Sequence, residues 1–424
     1  MSNFNERIEI DEIGCHRQRM QNKMESGELF TFAFGAFAIA LIALVIIYYK
    51  CIDRRFAKKT ILLNGHKKEK IEEKADEQKK GKATSKERKK KQIGTMKSLT
   101  TFVFFLIIAA LPPIVSPAQS PPYGQLQIKG SKLMSSSGKE IVLRGMSLFW
   151  SQWDPKYWNA ETVKQLKCNW GINILRAPMG VEGSDGYLQS AAASAANTQK
   201  LMTIVDACIN LGIYVIIGDG KAYTAQAVDF FKKMAQKYGK NPHVLYEIWN
   251  EPVGVDWNKV LKPYHQTVIS AIRAIDPDNV ILLGTPTYSM DLNPVISSPM
   301  GGLKNIMYSF HFYAADTSQS GYPNVQNMLK KAIKSGLPVF VTESGAGSGG
   351  SNAPVNLPVM NQWWSLLEQL KISQIIWAVR GEGNLQNPLN KNTAPANIGQ
   401  NWALTEYGKV VKNVFTKNAK PIGC

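Results

Sequence analysis

From Gln125 onward the chain alternates between two hydrophobic periods. Short β-branched apolar runs are followed by longer stretches in which apolar positions return every three or four residues. Residues 141–146, 172–176, 214–217, 244–248, 280–283, 307–312, 339–342 and 375–378 read as strands, and 198–210, 225–238, 258–275 and 357–370 as amphipathic helices. The stretch 283–303 carries no convincing helical pattern. Residues 125–128 and 132–135 read as a short hairpin, expected to plug the floor beneath the strands. Strands alternating with helices predict repeated βα units and a parallel sheet. Eight such units in roughly 280–300 residues predict an α/β fold of the (β/α)8 TIM-barrel type. A doubly wound sheet would need a glycine fingerprint after its first strand, and Leu143-Arg144-Gly145-Met146 is not one.

The first hundred residues follow neither period. Residues 29–49 (LFTFAFGAFAIALIALVIIYY) are uncharged and long enough to span a bilayer as a helix. Lys50, Arg54, Arg55, Lys58 and Lys59 flank the C-terminal side, which assigns that side to the cytosol and Met1 to the outside. A second apolar run, 100–115, follows Met96-Lys97. From Met96 it has the parts of a secretory signal, with small residues Ser116 and Ala118 spaced for cleavage. Either the chain is anchored by two passes with a cytosolic basic loop, or an unrelated upstream segment precedes a secreted enzyme beginning at Met96. The second is favoured, because Pro112-Pro113 weakens the later run as a spanning helix. Both put 119–424 outside the cytosol. The expected division is therefore a tail (1–28), a transmembrane helix (29–49), a basic linker without fixed structure (50–95), a signal-like or second spanning segment (96–118), and the barrel (119–424).

Charge does not change this picture. The formal net charge is +18, but Lys50 to Lys97 alone hold about 18 Lys/Arg against about 7 Asp/Glu. The run at 86–91 (KERKKK) has no nucleic-acid-binding signature beside it, so a solvated linker is expected and no nucleic-acid partner. Five cysteines are too few and too scattered for a disulfide scaffold or metal site, and no cofactor motif is present. Cys168 and Cys208 fall at the ends of the first two barrel helices. They are the expected disulfide, with Cys168–Cys424 as the competing pair and two free thiols as the alternative.

Three strand ends carry the chemistry. The fourth runs Tyr246-Glu247-Ile248-Trp249-Asn250-Glu251-Pro252, the sixth Ser309-Phe310-His311-Phe312-Tyr313, and the seventh Phe340-Val341-Thr342-Glu343. Carboxylates at the mouths of strands four and seven face each other across a barrel, as retaining glycoside hydrolysis requires. Glu251 is assigned as acid/base and Glu343 as nucleophile. Arg176, ending strand two, would keep a nearby carboxylate ionised, and Tyr313 would donate a hydrogen bond to it. Asn250 would hold a sugar 2-hydroxyl, and Trp377 would offer a face for a ring to stack on. Each residue has a blander reading. Glu251-Pro252 could open the next helix, Glu343 could be a loop acid, and His311 a satisfied buried histidine. Trp249 and Trp170 read as core; Trp150, Trp153 and Trp257 fall where cleft subsites or core are both open.

These segments resemble glycoside hydrolase family 5, the cellulase A family, in particular endo-β-1,4-glucanases of bacteria and plant-parasitic nematodes. The similarity runs from about Tyr123 to Thr416 and rests on Leu143-Arg144-Gly145-Met146-Ser147, the 174–181 run (ILRAPMGV), Ile248-Trp249-Asn250-Glu251-Pro252, the strand-six segment and Val341-Thr342-Glu343. It implies metal-free double displacement on a β-glucan by a monomer, with Arg176, Asn250, His311, Tyr313 and Trp377 lining the subsite of the reacting sugar. The chain departs from the family after strand three, where Ile217-Gly218-Asp219-Gly220-Lys221-Ala222-Tyr223 lacks the usual tryptophan and histidines. Ser344 replaces an aromatic residue after the nucleophile, and Val379-Arg380-Gly381-Glu382-Gly383 replaces a serine-aspartate-lysine run. The expectation is a slower β-1,4-glucanase. The alternatives are a hydrolase of xyloglucan, mannan or another β-glycan, and a catalytically weak glycan-binding protein.

Overall fold

The structure is a computed structural model describing residues 119–219 (the side chain of Asp219 excepted), 223–316, 324–349, 354–382, 386–418 and 424. The expected tail, spanning segments, basic linker and signal, 1–118, lie outside the described residues. Among the described residues no helix is long and apolar enough to cross a membrane.

A two-stranded antiparallel hairpin comes first, β1 (Gln127–Lys129) and β2 (Lys132–Met134). Eight parallel strands follow: β3 (Arg144–Leu148), β4 (Ile174–Met179), β5 (Tyr214–Asp219), β6 (Val244–Glu247), β7 (Ile281–Leu283), β8 (Ile306–Tyr313), β9 (Val339–Gly345) and β10 (Gln374–Val379). They close in sequence order, with β10 pairing β3. The helices between and after them are α1 (Ala160–Trp170), α2 (Ala191–Leu211), α3 (Thr224–Tyr238), α4 (Lys262–Arg273), α5 (Asn324–Lys334), α6 (Leu357–Leu370) and α7 (Glu406–Asn418). The expected TIM barrel is therefore present. The irregular unit after β7 holds only two short helical turns, Pro286–Ser289 and Asn293–Ser297.

Local sequence explains the boundaries. Helix α1 starts where the Asn159 side chain accepts from the Thr162 amide, and α2 where Ser190 accepts from Ala193, seven residues before the expected start at 198. The apolar repeat locates the buried face, whereas the cap decides where the helix begins. Helix α2 ends at Gly212, whose φ of 67° is the left-handed conformation that glycine adopts without strain. The first barrel strand starts later than 141–146, because the Leu143 amide is taken by the Ser373 hydroxyl rather than by a strand neighbour. Gly145 lets strands approach: a Cβ there would lie 1.8 Å from the Ile174 carbonyl oxygen.

Two apolar layers hold the barrel. The outer one lies between strands and helices. The inner one fills the lower interior with Leu143, Ile174, Tyr214, Ile216, Leu245, Leu282, Met307, Phe340 and Ile375, closed by Leu126 and Leu133 of the hairpin region. The expected floor plug is thus real, and Tyr214 fixes it by bonding the Tyr123 amide and the Gly124 carbonyl. Truncating one such residue, Leu245→Ala for example, costs roughly 2–5 kcal/mol.

The disulfide differs from the favoured expectation. Cys168 bonds Cys424, with Cα atoms 5.7 Å apart, and Cys208 is a buried free thiol. Cys208 packs into the outer core on the face of α2 turned toward the strands, so it is not available to its neighbour helix.

Candidate active site

Inward-facing positions alternate along each strand, so the residue two beyond an apolar floor residue points into the next layer up. By that count Ile174 leads to Arg176, Leu245 to Glu247, and Met307 to Ser309, His311 and Tyr313. All five are buried. Arg176 is the hub. Its Nε donates to Glu247 Oε2 at 2.7 Å, Nη1 to Glu343 Oε2 at 2.9 Å, and Nη2 to Asn250 Oδ1 at 2.7 Å. One guanidinium thereby ties strands two, four and seven, with a geometry that a lysine could not reproduce.

The same count would turn Glu343 outward, because Phe340 already faces in. A β-bulge corrects this. Phe310 pairs with Val341 but His311 pairs with Glu343, so Thr342 is an extra residue that resets the alternation. Thr342 Oγ1 and Glu343 Oε1 then both face strand six, where they meet His311 Nε2 at 2.9 Å and the Tyr313 hydroxyl at 2.5 Å. Burial, then Glu343 and Glu251, raise the Tyr313 hydroxyl well above its ordinary range, so it acts as a donor. Burial and the charge of Glu251 push the Glu343 carboxyl up, against the lowering pull of His311, Arg176 and Tyr313.

Glu251 lies four residues beyond the end of β6, with a positive φ of 47°. For a non-glycine residue that conformation stores local strain of roughly 1–3 kcal/mol and is concentrated at functional sites. Its Oε1 meets His311 Nδ1 at 3.0 Å. Burial lowers the His311 imidazole, but Glu343, Glu247 and Glu251 together lift it to about 9. Glu251 is the more open carboxyl, its side chain 27% exposed against 6% for Glu343. Oxygens of Glu251 and Glu343 and a nitrogen of His311 lie within 4.8 Å of one another. Carboxyl groups whose nearest oxygens come this close suit the retaining separation of about 5–5.5 Å better than the wider inverting one. The three are also the one grouping of metal-ligand type among the described residues, yet Glu343 is already held by Arg176 and Tyr313, and His311 bridges Thr342 and Glu251. The arrangement suits proton transfer.

A cleft of about 760 Å3 opens at this mouth, lined by Glu251 and Asn250 and by the rings of Trp150, Trp153, Tyr223 and Tyr288. Trp377, at the end of β10, is half-buried beside the Arg176 guanidinium (5.7 Å from the ring) and edge-on to Trp150 (5.6 Å). Trp150 and Trp153 thus fall in the cleft. Trp257 does not: it opens a π-helical turn before α4 and is buried, its indole N–H donating to the Ser298 carbonyl at 2.8 Å. Trp170 is core, as expected, and Trp249 is buried while one side reaches the cleft. Tyr223 lines the rim and donates to Glu182, whereas Lys221 and the side chain of Asp219 lie outside the described residues. Ser344 turns into the barrel wall and donates to the Ile375 carbonyl. Arg380 stacks over Phe149 at 3.9 Å.

Sequence reasoning missed Glu247. Its carboxylate is fully buried under Arg176, accepts from Ser309 at 3.2 Å and lies 3.9 Å from His311 Nε2. Burial would raise it, but Arg176, then His311 and Thr342, outweigh that and hold it at about 2. The signal was available. A charge inside an apolar strand, two positions past Leu245, has to find a buried partner.

A closed parallel barrel with two facing carboxylates at the ends of its fourth and seventh strands defines the class of barrel glycoside hydrolases. The family model of cellulase, glycosyl hydrolase family 5, matches residues 134–383, and the chain belongs to that family. Endoglucanase Z of Dickeya dadantii is 39% identical over 300 residues, and an endoglucanase of Clostridium saccharobutylicum is 35% identical over 297, each alignment covering 68% of this chain. The alignments span 66% and 64% of those relatives' own lengths. Among solved structures, the catalytic domain of Thermobifida fusca endoglucanase Cel5A is 29% identical with a TM-score of 0.63, covering 69% of this chain and 98% of that one. A variant of that domain has been solved in complex with cellotetraose.

Proposed function

We propose that the barrel cleaves β-1,4-glucan within the chain, with retention of configuration, by double displacement. The observation that carries this reading is the facing pair Glu251 and Glu343, with Arg176 and Tyr313 on the buried member and His311 on the open one. With every carboxyl ionised and His311 protonated, Glu247, Glu251 and Glu343 oppose Arg176 and His311. One further proton makes the cluster neutral, the state that a buried site favours. Glu247 is held ionised by Arg176, so the proton belongs to the facing pair, and the mechanism needs it on Glu251, because Glu343 accepts the hydrogen bonds of Arg176 and Tyr313 that favour an anion. His311 donates to Glu251 Oε1, which leaves the other oxygen to carry the proton toward the cleft. Protonating Glu251 also removes its repulsion of Glu343, which then ionises beside Arg176 and Tyr313.

In the first step Glu251 gives its proton to the glycosidic oxygen while a Glu343 oxygen bonds the anomeric carbon. The C–O bond to the leaving sugar breaks with its electron pair. In the second step the Glu251 carboxylate takes a proton from water, whose oxygen displaces Glu343. Asn250, oriented by Arg176, holds the sugar 2-hydroxyl, and Trp377, Trp150 and Trp153 stack on rings along the cleft. The loss of the strand-three histidine leaves hydrolysis slower than in relatives that keep it, by about 10–100-fold.

The same reading takes the enzyme as a monomer that works outside the cytosol, either secreted through the segment beginning at Met96 or held to a membrane by residues 29–49. Reducing-sugar release by the purified full chain from cellulose, xyloglucan and mannan tests the substrate. Preference for cellulose-type glucan supports the proposal. Brisk release from another glycan alone means a shifted substrate, and binding without release from any of them means a glycan-binding protein.

A further inference from the structure

Glu247 is fully buried and is not among the residues that line the cleft, yet it meets both residues that control the reacting carboxylates. From β4, Arg176 reaches it at 2.7 Å. From β8, Ser309 donates to it at 3.2 Å and His311 lies at 3.9 Å. On the β5 side its neighbour is Gly218, where a Cβ would stand 3.3 Å from Glu247 Oε2. From β9, Glu343 shares the same guanidinium, and on Glu247's own segment the charged neighbour is Glu251, bonded to His311. Glu343 in turn faces Arg176, His311, Tyr313 and Glu251. Glu247 is therefore the one anion of the cluster that stays charged through both steps while Glu251 and Glu343 change state.

We propose that Glu247 is a positioning residue for the reaction: it balances Arg176 and His311, so that a proton on Glu251 and a negative charge on Glu343 coexist at neutral pH. This rests on the glycosidase reading above. Without Glu247 the loaded site would carry a net positive charge, and Arg176 would bear on Glu343 alone. Both effects favour losing protons. The nucleophile becomes a weaker base, and the Glu251–His311 pair sheds its proton sooner. A residue that merely filled space or held Arg176 in place would act differently. Its loss would loosen Arg176 and leave Glu343 harder to ionise.

The test is the pH dependence of kcat/KM on a soluble β-1,4-glucan for the full chain and for its Glu247→Gln and Glu247→Asp variants. For Glu247→Gln both limbs should move to lower pH, by about one unit, as expected when one close charge is removed. kcat should fall about 10–100-fold with KM changed less than about threefold. Glu247→Asp keeps the charge and should hold both limbs at their wild-type positions. A Glu247→Gln profile with unmoved limbs, an acid limb shifted upward, or Asp and Gln variants shifted alike would each overturn the proposal. A second readout needs no turnover. Nitrogen-15 NMR of the imidazole should show His311 titrating about 1–2 units lower in Glu247→Gln than in wild type; an unchanged midpoint overturns the proposal even if no β-glucan is cleaved. Inactivity of the wild-type chain on every glucan would instead count against the glycosidase reading alone.

Discussion

Replacing Arg176 by methionine tests the buried network as a physical object. The substitution keeps an unbranched apolar stem and removes the guanidinium with its charge. Arg176 is fully buried, and so is Glu247, while Glu343 is nearly so. Removing one partner of a buried ion pair leaves an uncompensated charge, at about 3–5 kcal/mol. Linkage gives a similar figure independently. Glu247 is held at about 2 against an ordinary value of 4.5, a difference that stabilises the fold by about 3 kcal/mol at neutral pH. The sign follows from the depressed value: the stabilisation is complete above 4.5 and disappears as pH falls toward 2. For a barrel of this size the variant should melt roughly 5–10 °C lower at pH 7. The gap should narrow below pH 4.5, where Glu247 in the variant accepts a proton without penalty. Differential scanning calorimetry of both proteins at pH 7 and pH 3.5 measures this directly. Equal gaps at the two pH values, or no gap at pH 7, would refute the reasoning.

Four further variants have outcomes set by the same geometry. Tyr313→Phe removes the hydroxyl that donates to Glu343, so the acid limb of kcat/KM should move to higher pH by about one unit, read from initial rates on soluble glucan. Trp153, 56% exposed in the cleft, should raise KM about 3–10-fold when changed to alanine without lowering Tm. Trp257→Phe should do the reverse. Cys424→Ser opens a link spanning 256 residues and should lower stability by about 2–5 kcal/mol; an unchanged melting curve, with or without reductant, would count against the Cys168–Cys424 bond.

The parts of the site legible in sequence are those fixed by local rules. Glu251 and Asn250 stand at a strand end marked by apolar alternation before it and Pro252 after it, so their placement needed only the barrel. Glu343 was found by the same rule, but its inward aim was not readable. Simple alternation from Phe340 points it outward, and only the extra residue at Thr342, visible in the pairing with His311, turns it in. Glu247 lay in plain view within the strand-four segment, yet its partner Arg176 is 71 residues away in the chain, and nothing local joins them. Trp257 was open between cleft and core because its side is decided by the π-helical turn that precedes α4. The cysteine pairing failed for a related reason. Helix ends adjacent in sequence order favoured Cys208, whereas the partner of Cys168 is Cys424, 256 residues away, in a barrel whose last helix packs against α1. Periodicity reads one element at a time, and each of these depended on how two distant elements meet.

The central claim is that Glu343 attacks while Glu251 first gives and then takes the proton, and it has a direct stereochemical consequence. Proton NMR of the anomeric signals during the first minutes of hydrolysis of a soluble β-1,4-gluco-oligosaccharide by the full chain should show the β-anomer of the new reducing end first. The α-anomer should grow in only at the rate of mutarotation. Initial appearance of the α-anomer would mean single displacement by water, and would contradict the assignment of Glu343 as nucleophile.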